Sequence, residues 1–133
     1  MTIDLDYMKG AIGTDYGFLF DKLVIVELLV SEIRNISTPD ANLPGVYVHY
    51  SPSLGFVKVG KSQNNSRTRS IDHLHDNTKT RDKKYGMAQL NNETGAKIFL
   101  FNVRSREDIH WLLGLEYYME EKLKPLIASD RRG

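Results

Sequence analysis

Two short β-rich runs, separated by five turn-forming residues and closed by a glycine, constrain this chain more than any other stretch. Val46, Val48 and Tyr50 alternate with Tyr47 and His49; Ser51-Pro52-Ser53-Leu54-Gly55 follows, and Phe56 to Val59 form the second run before Gly60. Period-two alternation suits a strand whose faces meet different surroundings, and a Pro/Ser/Gly cluster between two such runs reverses the chain. The stretch predicts a β-hairpin. Ser62 to Ser66 then supply turn and N-cap candidates for a helix carrying Arg67, Arg69, Ile71, His73 and Leu74.

Beyond that helix, Asn77 to Gly95 is polar, basic at its start and long for a connection, so it predicts a functional or mobile loop, with a short helix possible around Lys83 to Leu90. Ala96 to Val103 has the apolar run of a buried central or third strand. Ser105 with Asp108 resembles a capping box, and Ile109, Leu112, Leu113 and Met119 mark a helix to about Leu123, stopped before Pro125. At the other end, Thr14 can cap a helix from Asp15 to about Asn35, followed by a Pro-containing connector from Ile36 to Pro44. The chain of 133 residues suits one domain with an appendage. The expected fold is α/β, a small, mainly antiparallel three-stranded sheet flanked by helices. Residues 1–43 form an N-terminal helix and connector, and residues 44–133 the main domain.

Cysteine is absent, which excludes disulfides and thiolate metal sites and leaves oxygen or imidazole for any metal. The most apolar stretch, Phe18 to Ile33, is broken by Asp21, Lys22, Glu27 and Glu32, so no membrane span is expected. The N-terminus lacks the pattern of a secretory signal, and the expected location is cytoplasmic. The net charge of +1 hides a division along the chain. Residues 1–38 carry three basic side chains against six acidic ones, whereas residues 58–84 carry eight against three, a balance of +5. The basic middle is where a polyanion would dock, unless it is simply a solvated surface.

Glu116 lies seven residues after Ile109, four after Leu112 and three after Leu113, on the helical face expected to be buried. A carboxylate taken out of water needs a cation, a donor or a metal, and the alternative is that it reaches solvent at the margin of the stripe. Arg69 and His73, four apart, share one helical face, and Arg fits two phosphate oxygens at once. Such a pair also occurs on plain solvated surfaces, and His75 and Arg67 are the alternatives if the helix is rotated. Tyr47 and Lys58 sit on the two hairpin strands, and the uneven turn leaves their relative register open. Lys58, between Val57 and Val59, either shields a sheet edge or points into a polar site.

The joint pattern resembles the GIY-YIG nuclease superfamily. It is carried by Pro44-Gly45-Val46-Tyr47, Val57-Lys58-Val59-Gly60-Lys61-Ser62, Arg69 with His73, and Leu115-Glu116 followed by Lys124-Pro125, over roughly residues 44–127. Gly45-Val46-Tyr47 stands for the first triplet and Lys58-Val59-Gly60 for the second, as in a lysine-variant branch of some restriction endonucleases and phage-type DNA-binding members. The resemblance implies a Mg²⁺- or Mn²⁺-dependent endonuclease acting on DNA. Tyr47 corresponds to the catalytic tyrosine, Arg69 to the invariant arginine, His73 to a frequent histidine and Glu116 to the metal-binding glutamate. Lys58 would favour the Tyr47 phenolate or act as base itself. Lys61, Arg67, Lys79, Arg81, Lys83 and Lys84 are the candidates for tracking the DNA backbone. With Lys58 in place of the second tyrosine, and Ala128 where many members carry asparagine, a module that binds DNA without cutting is the alternative. The apolar N-terminal helix offers a homodimer element, or packs on its own domain.

Overall fold

The computed structural model describes residues 5–75 and 86–127. Two N-terminal helices, α1 (Leu5–Asp15) and α2 (Gly17–Phe20), lead into strand β1 (Leu23–Leu29). The hairpin follows as β2 (Gly45–Ser51) and β3 (Gly55–Ser62), then helix α3 (Ser66–Leu74) and a 3-10 helix (Met87–Asn92). Strand β4 (Lys97–Val103), a 3-10 turn (Arg106–Asp108) and helix α4 (Trp111–Leu123) complete the order. The strands form one antiparallel sheet in the order β1-β4-β2-β3.

The sequence reading is corrected at the N-terminal end. No helix runs over 15–35: α1 ends where that helix was expected to begin, α2 is a single turn, and Leu23–Leu29 pairs with β4 as a fourth strand, built into the sheet instead of standing in front of it. The reason is local. Leu23-Val24-Ile25-Val26 is apolar at every position, so a 3.6-residue spacing can be read into it, while its three β-branched residues favour a strand. Glu27 is exposed on this edge, and its carboxylate lies 3.4 Å from the Lys97 ammonium on β4.

The sheet separates two cores. Val46, Val48, Phe99, Phe101 and Val103 pack on one face against Met8, Ile12 and Leu19 from the N-terminal helices and Leu112, Leu115 and Met119 from α4. On the other face Tyr47, Ile98 and Leu100 meet Leu74 of α3, Met87 and Leu90 of the 3-10 helix, and Val30, Ile33 and Ala41. Past α4 the chain turns through Lys124, at a φ of 47°, a left-handed conformation that costs a non-glycine residue about 1–2 kcal/mol. The turn brings the Leu126 and Ile127 amides to the Phe56 and Val57 carbonyls at 3.0 and 2.8 Å, covering that part of the β3 edge.

Asn102 on β4 fixes where α3 begins. Its side chain is fully buried; Oδ1 accepts from the Ser66 hydroxyl at 2.6 Å, and Nδ2 donates to the Asp40 carbonyl at 2.9 Å. Gly45 lies opposite Asn102 in the sheet, and a Cβ there would overlap the Asn102 carboxamide. Asn65 caps α3, its side chain accepting from the Thr68 amide at 3.0 Å. No helix among the described residues is long and apolar enough to cross a membrane.

Candidate active site

The register of the hairpin settles which strand residues share a face. Tyr47 pairs with Gly60 and His49 with Lys58, and paired residues of an antiparallel sheet project to the same side. Tyr47, His49 and Lys58 therefore line the face covered by α3. A β-bulge between His49 and Tyr50 shifts the count towards the turn, which is why the register could not be read from the turn length. The Tyr47 ring lies directly over Gly60, where a Cβ would fall on its hydroxyl and ring carbons. The two glycines of the motif thus leave space, one for Asn102 and one for the tyrosine.

Helix α3 brings Arg69 and His73 to this floor. The Arg69 guanidinium hydrogen-bonds the Tyr47 hydroxyl, and the His73 ring centroid lies 5.6 Å from that of Tyr47. Glu116, on α4 in the other layer, is 5% exposed and its charge acts on Tyr47, as does that of Asp72. Arg69 and His73 adjoin Tyr47, and Glu116 lies near enough for its charge to act on the tyrosine. Lys58 is half-buried beside them, but its charge bears on His49.

The environment keeps Tyr47 a phenol. Burial raises its pKa to about 12, Glu116 and Asp72 push the same way, and the opposing Arg69 charge and hydrogen bond are outweighed. The expected Lys58-assisted phenolate is not what this geometry favours.

The backbone-tracking candidates divide. Lys61 pairs with Val46, so it leaves β3 on the side away from Tyr47. Arg67 folds back, donating through Nε and Nη2 to the Ile33 carbonyl at 2.9 and 2.6 Å and through Nη2 to the Arg34 carbonyl at 3.1 Å, which braces the turn after β1. This orientation also decides the helix rotation in favour of Arg69 and His73. Lys79, Arg81, Lys83 and Lys84 lie outside the described residues.

Two neighbours escaped the sequence reading. Asp72 sits between Arg69 and His73 on α3. His49 is two residues after Tyr47 on the same strand, and that parity was the available signal. It is fully buried, with its ring centroid 5.5 Å from Tyr47 and 6.3 Å from His73.

Among the described residues no three His, Asp or Glu side chains gather as a metal cage. No family model matches the chain, and neither a curated protein nor a solved structure matches it.

Proposed function

We propose that this protein is a metal-dependent endonuclease of the GIY-YIG type, hydrolysing phosphodiester bonds in DNA. One observation supports the reading: Arg69 and His73 on α3 adjoin the buried Tyr47, and the charge of Glu116 on α4 acts on the same side chain. An arginine, a tyrosine, a histidine and a buried carboxylate suit in-line attack of water on a phosphodiester.

Arg69 would leave the tyrosine hydroxyl for two phosphoryl oxygens and oppose the charge that develops there, the largest contribution expected in phosphoryl chemistry. Tyr47, protonated through the neutral range, would orient the attacking water through its hydroxyl instead of deprotonating it. His73, against the Tyr47 ring, would take the proton that the water gives up. Glu116 would hold a Mg²⁺ or Mn²⁺ ion, which when bound supplies further neutralisation of phosphoryl charge. Lys58, half-buried beside this group, would add positive charge towards the DNA backbone.

The alternative, a DNA-binding module without cleavage, is favoured by one observation: Tyr47 is only 2% exposed, so substrate would have to move its cover before reaching the hydroxyl. Supercoiled plasmid incubated with the protein and Mg²⁺ or Mn²⁺, beside Glu116→Ala, separates the two. Nicked or linear product that the variant fails to make supports the endonuclease. Salt-sensitive binding without product supports the module, and equal cleavage by both proteins removes Glu116 from the mechanism.

A further inference from the structure

His49 is a fully buried imidazole in the floor of the site that the chemistry above does not use. Lys58 faces it from β3, Ile98 from β4, Tyr47 flanks it on β2, and His73 and the middle of α3 lie over it. Its Nε2 stands 3.0 Å from the Ser70 carbonyl oxygen. A carbonyl only accepts, so Nε2 carries the proton and Nδ1 keeps its lone pair. Nδ1 is buried and has no hydrogen-bond partner among the described residues. An unpaired buried acceptor lowers stability, so this ring holds its place at a cost.

What the imidazole holds is specific. Ser70 follows Arg69 and precedes His73 by less than one turn, so its carbonyl is the point of α3 between the two side chains that lean over Tyr47. Asn102 and Asn65 fix the first turn of α3, whereas the His49 bond reaches its middle from the sheet beneath. A charged imidazole would also find the Lys58 and His73 charges against it, so the neutral form is the one this packing accepts.

We infer that His49 is a positioning residue: as a neutral Nε2–H imidazole it ties the centre of α3 to the sheet and so sets where Arg69 and His73 stand over Tyr47. The inference rests on the reading of this face as a phosphodiester-cleaving site. It predicts that loss of the bond slows the chemical step while leaving DNA affinity nearly unchanged, because the fully buried His49 ring is out of reach of a bound backbone.

The test uses the whole chain. Long-range nitrogen–proton NMR spectra of the wild-type protein should show His49 in the neutral Nε2–H form, unchanged between about pH 8 and about pH 5. The Nδ1–H tautomer, or titration within that range, overturns the inference. His49→Phe keeps a ring but loses the donor, and should slow nicking at saturating DNA by about tenfold or more, with DNA affinity within about twofold. His49→Gln, which restores an N–H donor, should recover most of the rate. Equal nicking by wild type and His49→Phe overturns the inference. If the wild type binds DNA but does not nick it, the endonuclease reading has failed on its own. His49 is then judged by the spectra and by the Arg69 and His73 side-chain signals, which must move in His49→Phe. If His49→Phe does not fold, the wild-type spectra decide.

Discussion

Acidification should destabilise this protein through His49. In the unfolded chain the imidazole takes up a proton near its ordinary 6.5, whereas in the fold burial, aided by His73 and Lys58, holds its pKa down to about 3 despite the Ser70 bond. Between those limits the unfolded state binds more protons, so this contribution is fully present above about pH 6.5 and fades as pH falls towards about 3. At about pH 5 the unfolded imidazole is almost fully protonated and the folded one almost fully neutral. The linkage relation then gives a loss of about 2 kcal/mol relative to about pH 7.5. Urea unfolding of the wild type and His49→Phe at both pH values isolates the effect, because every other titrating group is common to the two proteins. The wild type should lose about 2 kcal/mol more than the variant on acidification. His49→Gln serves as a second comparison. Parallel losses in all three proteins would refute a buried neutral imidazole.

Other consequences of the packing can be checked separately. Gly60→Ala puts a methyl group into the Tyr47 ring and should cost roughly 1–3 kcal/mol in a thermal or urea melt, a loss that largely disappears when Tyr47 is also replaced by Ala. Asn102→Ala removes the acceptor of the Ser66 hydroxyl and the donor to the Asp40 carbonyl, so unfolding free energy should fall by about 2–4 kcal/mol. Arg67→Ala should lower stability through the turn after β1 while leaving the salt dependence of DNA binding unchanged, contrary to what its charge alone suggests.

The fold was legible wherever the pattern had one reading. The hairpin, α3, β4 and the body of α4 follow from alternation, caps and stops, although Ser105 caps the 3-10 turn and α4 itself starts only at Trp111. β1 did not, because a run apolar at every position has no period; only pairing with β4 decides that Val24 and Leu28 face one layer and Ile25 the other. The site divides in the same way. Arg69 and His73 share a face by helical geometry, and burial of Glu116 follows from its place in the α4 stripe. Whether Lys58 joins Tyr47 on one face depends on a bulge that no turn rule specifies, and the direction of Arg67 depends on carbonyls more than thirty residues earlier in the chain. The protonation of Tyr47 is a product of burial, which the sequence near it does not disclose. His49 was within reach of the strand parity that placed Tyr47.

The central claim is that Tyr47, Arg69, His73 and Glu116 act as one site. Residues that act as a unit lose activity non-additively, so the most direct measurement is the plasmid nicking rate of Arg69→Ala, Glu116→Ala and the double variant at saturating DNA. The account predicts a steep loss in each single variant and little further loss in the double. Rates near wild type in either single variant, or losses that multiply in the double, would contradict it.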